Sequence, residues 1–242
     1  MSKVFMYNLK VSEIGLTNHL VFDITNFYAS FPSKCEVYSL HAINEHIRGA
    51  DIDLFIQNSS GSYQYYMIQA KVMDYRGYYN DIAKWNPKSQ FLKLIKGAKK
   101  ENALPLYLLY NGSTKNSLNG EGKYGTSVVA AGEINKFRTN QRKVGYIHGQ
   151  NKLYFDLIYQ YMEPYQNLFC NGLEGIDLPP NKKENEIYTG FPYRKIQKNT
   201  DVNPLSEDGK NDYLEKLSII KEKGLAPIRI IIKDNFENEN VA

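Results

Sequence analysis

The chain is poor in cysteine, histidine and long apolar runs, and each shortage excludes something. Two cysteines among 242 residues, Cys35 and Cys170, allow at most one bond and rule out a disulfide framework, which favours a reducing compartment. The four histidines, His19, His41, His46 and His148, show no paired metal spacing, so with no cysteine pair either, a structural zinc site is not expected. The longest apolar runs, such as Leu104 to Tyr110, fall far short of the ~20 residues that a bilayer span needs. The opening MSKVFMYNLK lacks the apolar stretch of a secretory signal. No GxxxxGK(S/T) phosphate loop and no internal repeat is present. A GxGxxG does occur, from Gly120 to Gly125, but it does not directly follow a strand and carries Glu121 where a phosphate would sit, so it reads as loop. The expectation is a soluble, cytoplasmic protein that engages no membrane.

Hydrophobic residues make up 42% and charged residues 23%, which places the chain among globular proteins and away from disordered ones. Its length allows one domain, at most two. A net charge of +4 permits an anionic partner without requiring one. Tyrosine stands out at 20 residues, useful for stacking on bases or at interfaces, although the abundance of Asn and Lys makes codon bias the plainer account.

Ser12 to Phe31 reads as an amphipathic helix, with Ile14, Val21, Ile24 and Tyr28 close to one face, Leu20 and Phe27 beside them, and Ser12 as its cap. Cys35 to Glu45 alternates as a strand. Ala50 to Ile56 and Tyr63 to Met73 form two more strands around the Asn58–Ser62 turn, giving a hairpin and a three-stranded meander with the preceding strand. On the last of these, Tyr66, Ile68, Ala70 and Val72 share one face, and Met67, Gln69 and Lys71 the other. Ser89 to Lys100 has helical spacing, and Leu104 to Tyr110 is a short apolar strand. A strand–helix–strand succession predicts a right-handed crossover and parallel pairing. The sum is an α/β sandwich with a mixed sheet. Beyond residue 112, Ser127 to Phe137, Asn151 to Phe169 and Tyr213 to Lys223 read as helices, Pro179 to Asp212 as a polar loop, and Ile228 to Ile232 as a strand before a frayed acidic tail.

The constellation that could carry chemistry lies on the hairpin. A turn centred on Ser60 sets Asp51 opposite Gln69 and Asp53 opposite Met67, with Cβ atoms about 4.5–5.5 Å apart, and Lys71 lies two residues along. A carboxylate and an amide oxygen could share a cation, and a neighbouring ammonium could activate water or offset charge in a transition state. Hydrolysis of a phosphodiester asks for such a set. Taken alone, the set equally fits the solvated face of an edge hairpin.

Asp51 followed by Gln69-Ala70-Lys71 resembles the Asp…(Asp/Glu)-x-Lys core of the PD-(D/E)XK, or restriction-endonuclease-like, nuclease superfamily. More narrowly, Glu13-x-x-x-Thr17, Gly49-Ala50-Asp51, Gln69-Ala70-Lys71, Gln90 and Pro105 to Asn111 are similar to a group of uncharacterised bacterial proteins of that fold. The resemblance covers about Ser12 to Asn111. It implies an αβββαβ sandwich core over residues 1–111, with residues 112–242 as helical additions packed on the same domain. It implies catalytic roles for Asp51, Gln69, Lys71 and Glu13. Mg²⁺ or Mn²⁺ would be held by Asp51, Gln69, the Ala70 carbonyl and Glu13. Gln90 would border the cleft; the basic residues Lys88 and Lys93 around it on the same helix are the favoured nucleic-acid contacts, and Asp53 and Glu45 are further candidate acids. The implied partner is nucleic acid, DNA before RNA, the implied setting is bacterial defence, and many such nucleases cut as homodimers.

One departure matters. Gln69 stands where the superfamily has an acid, so it offers an oxygen but cancels no cation charge. A second reading follows, a catalytically inactive scaffold that holds nucleic acid or a protein partner; a purely structural interaction protein is a third. Basic stretches at Lys88 to Lys100, Arg138 to Lys143 and Lys182 to Lys195 could grip phosphates, or be ordinary solvated faces.

Overall fold

The computed structural model describes residues 13–29, 35–41, 49–74, 76–82, 89–111, 125–136, 152–170, 178–188, 194–196 and 228–234. The chain runs α1 (Glu13–Ala29), β1 (Cys35–His41), β2 (Ile52–Gln57), β3 (Tyr63–Val72), β4 (Tyr78–Asn80), α2 (Gln90–Glu101), β5 (Leu104–Asn111) and β6 (Gly125–Ala130). A short helix, α3 (131–136), comes next. Then follow β7 (Lys152–Tyr154), α4 (Phe155–Ile158), a 3₁₀ turn (Tyr159–Tyr161), β8 (Glu163–Pro164), α5 (Asn167–Cys170), α6 (Glu184–Tyr188), β9 (Arg194–Ile196) and β10 (Ile228–Asp234). The architecture is mixed α/β. No helix among the described residues is long and apolar enough to cross a membrane.

Eight strands form one sheet in the order β8-β6-β5-β3-β2-β10-β1-β9, and β4 and β7 form a separate pair. The β2–β3 hairpin has the expected register, Ile52 against Ile68 and Asp53 against Met67. Its turn is held by Asn58, whose Oδ1 accepts from the Ser60 and Ser62 amides at 3.1 and 3.2 Å. β5 returns parallel to β3, as the intervening helix requires.

The alternation read along β3 divides the core into two layers. Ile52, Leu54, Ile68, Ala70, Leu106 and Ile230 pack with Val21 of α1 on one face, and Leu16, Leu20 and Ile24 lie against them. Phe55, Met67, Tyr107, Leu109 and Ile231 pack with Phe91, Leu94 and Ala98 of α2 on the other. Phe27, expected beside the apolar face of α1, is exposed instead. The α2 helix starts where Ser89 accepts from the Leu92 amide at 3.3 Å. It stops at Asn102, which takes a left-handed φ of 49° and donates its amide to the Ala98 carbonyl.

Several expectations are corrected. The meander is interrupted: β10 enters between β1 and β2, antiparallel to the first and parallel to the second. Its Ile230, Ile231 and Ile232 are buried on alternate faces, which suits an interior strand and not an edge. Of the expected Ser127–Phe137 helix, Ser127 to Ala130 is strand, buried throughout and paired with β5, and only 131–136 is helix among the described residues. Asn151 to Phe169 is no continuous helix. Pro164 has no N–H to donate, and Glu163–Pro164 pairs with β6 instead. The presumed polar loop after Pro179 contains α6, strand β9, and a backbone bridge from Lys182 to Tyr63. The second half is therefore not merely a set of helical additions, since β6 to β10 all belong to it. The Tyr213–Lys223 helix, the Ser12 cap and the acidic tail lie outside the described residues.

Candidate functional site

Three chain segments meet at the end of the sheet where β3 finishes. Asp51 lies immediately before β2, its amide donating to the Ile68 carbonyl at 2.8 Å and its carbonyl accepting from Ile228 at 3.2 Å. The residues before it are fixed by a close approach. Gly49 has φ +74°, and a Cβ there would stand 2.5 Å from the Gln90 carbonyl oxygen and 2.9 Å from the Leu94 amide nitrogen. Glycine alone lets the first turn of α2 lie against this strand entry.

The Asp51 carboxylate is turned towards β3. Its Oδ2 accepts from the Ala70 amide at 2.8 Å and from Gln69 Nε2 at 2.5 Å. The same Nε2 donates to the Ala70 carbonyl at 3.3 Å, so its two N–H groups serve the Asp51 carboxylate and the Ala70 carbonyl. Gln69 Oε1 is buried with no hydrogen-bond partner. An orphaned buried acceptor costs about 1–3 kcal/mol, which a ligand or cation would recover.

Lys71 alternates with Gln69 and Met67 towards the α2 layer, yet it stands one residue from the end of β3 and its ammonium reaches the first residue of α1. Nζ donates to Glu13 Oε2 at 3.1 Å and lies 3.5 Å from Oε1. The lysine side chain is 9% exposed and the glutamate 40%, so the pair opens to solvent on the acid's side. Two carboxylates and one ammonium leave the cluster one net negative charge, favourable to a cation. Tyr110 of β5 lies close by. Its hydroxyl donates to Thr17 Oγ1 at 3.2 Å, and burial, with Asp51 and Glu13 adding to it, pushes its pKa up to about 12 against the opposing Thr17 bond.

The solvated edge-hairpin alternative is thereby excluded. β3 lies between β2 and β5, and Gln69 and Lys71 are 1% and 7% exposed. Of the remaining candidates, Gln90 is exposed at the start of α2 and Lys93 is half-buried one turn on. Asp53 does not join the cluster. It is wholly buried, accepts from the Tyr65 hydroxyl at 2.8 Å, and pairs with Arg229 of β10 at 3.3 Å. No carboxylate could remain charged there without such partners. Lys88, Glu45, most of the GxGxxG segment and the Arg138–Lys143 stretch lie outside the described residues. Lys182, from another basic stretch, is 3.9 Å from Glu186, a neutralised pairing.

Sequence reasoning did not single out Tyr110 as a site neighbour. The signal available was the spacing of Glu13 and Thr17, one helical turn apart. Among the described residues, no three His, Cys, Asp or Glu side chains converge as a metal-binding group. A cation here would depend on amide and carbonyl oxygens as well as carboxylates.

The sequence profile of DUF6615, a family of unknown function, matches residues 1–237, and the chain belongs to that family. No curated protein and no solved structure matches it.

Proposed function

We propose that this protein is a metal-dependent nuclease of restriction-endonuclease-like architecture that hydrolyses phosphodiesters, with DNA as its substrate. The observation that carries the reading is the convergence of Asp51, Gln69-Ala70, Lys71 and Glu13 at one end of the central strand. The succession α1, β1, β2, β3, α2, β5, broken only by the short β4 before α2 and with β5 parallel to β3, supports the αβββαβ core. Insertion of β10 between β1 and β2 is this chain's departure from it.

The donor set fits a hard divalent cation. Asp51, Glu13, the Ala70 carbonyl and Gln69 Oε1 are all oxygens; Gln69 turns its Nε2 towards Asp51 and Ala70, so its amide would rotate to bring the partnerless Oε1 beside them. Mg²⁺ or Mn²⁺, when bound by these four, supplies positive charge to the phosphate and acidifies water. Gln69 adds an oxygen but no charge, so Asp51 and Glu13 carry the electrostatic balance. Lys71, held nearly dry, offers an ammonium to the oxyanion of a scissile phosphate, where low polarity strengthens the attraction. Glu13 keeps that ammonium oriented until the substrate arrives. Gln90 and Lys93 stand on the helix that abuts the Asp51 strand entry, where a phosphate backbone could lie.

The scaffold reading draws on a different detail. The Gln69 amide already donates to Asp51, and Lys71 already neutralises Glu13, so the cluster is partly compensated without any cation. Cleavage of supercoiled plasmid, linear duplex and single strands, each with Mg²⁺, Mn²⁺ or EDTA, separates the two. The nuclease reading expects metal-dependent cutting that disappears in both Asp51→Ala and Lys71→Ala. No cutting by the wild type, with metal-independent nucleic-acid binding unchanged in both variants, establishes the scaffold. Cutting that survives both substitutions refutes the site.

A further inference from the structure

We propose that Thr17 and Tyr110 are a positioning pair that sets the Glu13 carboxylate against Lys71. The inference rests on the reading of Glu13 and Lys71 as working groups of the site and names what aims them.

Glu13 is the first residue of α1, where helices fray and side chains wander. Something must hold that turn if its carboxylate is to meet Lys71. Thr17 stands four residues later, so the two side chains share a face one turn apart. Thr17 is 3% exposed and Tyr110 1% exposed. The Tyr110 hydroxyl donates to Thr17 Oγ1 at 3.2 Å, across 93 residues of sequence. On the strand side, Tyr110 is registered beside Val72, and Leu109 beside Lys71. One end of the bond is therefore fixed to the helix that carries Glu13, and the other to the strand beside Lys71.

The apolar layer beneath α1 does not do this alone. Val21 and its neighbours resist separation of helix and sheet, but dispersion and area burial are not directional and leave rotation and sliding soft. A hydrogen bond constrains both. Burying two hydroxyls where valine and phenylalanine would pack as well has a cost that their mutual bond offsets. In this bond the Tyr110 phenol supplies the proton and Thr17 Oγ1 the lone pair.

The test compares wild type, Thr17→Val, Tyr110→Phe and Thr17→Ser, with Glu13→Gln as the reference for a lost contact. Lys71 acylation by an amine-directed reagent is followed by peptide mass spectrometry, and cutting is measured on plasmid with Mg²⁺, both well below the unfolding temperature. Thr17→Val and Tyr110→Phe should each raise Lys71 labelling towards the Glu13→Gln level. Each should lower kcat by up to about 10²-fold with little change in KM, the scale of an ångström's misplacement. Thr17→Ser, which keeps the hydroxyl, should restore both. The double variant should be no worse than either single one. Wild-type labelling in both single variants overturns the proposal, as does a loss that Thr17→Ser shares. An inactive wild type whose Lys71 labelling still shifts in the variants supports the pair and refutes the nuclease reading instead.

Discussion

Replacing Gly49 by alanine tests how Asp51 comes to face β3. Two separate penalties are expected. Gly49 has φ +74°, where an L side chain costs about 1–2 kcal/mol. The added Cβ would also stand 2.5 Å from the Gln90 carbonyl and 2.9 Å from the Leu94 amide, both backbone atoms that cannot rotate aside. Forcing them apart should cost a further ~1–3 kcal/mol, the range for overpacking. The sum, about 2–5 kcal/mol, corresponds to a fall in Tm of roughly 4–20 °C for a chain of this length. Gly61 supplies the control, because its φ is +77° but its nearest neighbour is a flexible Gln57 Nε2 at 4.0 Å. Gly61→Ala should therefore show only the backbone penalty. Urea unfolding of both variants, with m held constant, isolates the contact contribution as their difference. Equal destabilisation of the two would refute the claim that α2 is seated on Gly49. If the claim holds, any metal-dependent cutting should fall much further in Gly49→Ala than in Gly61→Ala.

Three further outcomes are expected. Arg229→Met should destabilise by about 3–5 kcal/mol in urea, because it strands the wholly buried Asp53, and a second change, Asp53→Asn, should recover much of that loss. Stability should fall as pH rises above 10: burial raises Tyr66 and Tyr110 to about 12, so the unfolded chain ionises first and the contribution is lost through the folded values. The slope is about 1.4 kcal/mol per pH unit per tyrosine, and urea midpoints from pH 9 upward should be correspondingly flatter in Tyr66→Phe. The Arg76 guanidinium, bonded to Asp74 at 2.9 Å, holds that carboxyl below its ordinary range. The stability it brings is present above the unfolded value and lost as pH falls through the folded one, so Asp74→Asn should unfold less steeply in acid, by less than ~1 kcal/mol.

Much of the site was legible because a hairpin is a local object. The Asn58–Ser62 turn and period-two alternation set the register as far as Ile52 against Ile68, and hydrogen bonds to Gln69 and Ala70 fix the Asp51 carboxylate just beyond it. Helix α2 was equally readable, with its serine cap and buried Phe91, Leu94 and Ala98. Less legible was the second half. Its strands are short, and the Val-Val-Ala run of β6 suits a buried helix as well as a buried strand. Pairing with β5 decided between them.

What the sequence determined by itself is the set of elements whose information is near at hand: α1, the hairpin, α2 and β5, and the three residues Asp51, Gln69 and Lys71 that the hairpin aligns. What only the tertiary structure decided is everything that joins distant segments. β10 divides β1 from β2, and its Arg229 withdraws Asp53 from the site into a buried pair. Glu13 meets Lys71 from a helix whose Thr17 accepts from Tyr110, and a side chain at Gly49 would collide with the first turn of α2. Periodicity and turn chemistry act over a few residues. The loop-closing contacts between far segments depend instead on which buried surfaces and polar partners complement each other, and no local window contains both members of such a pair.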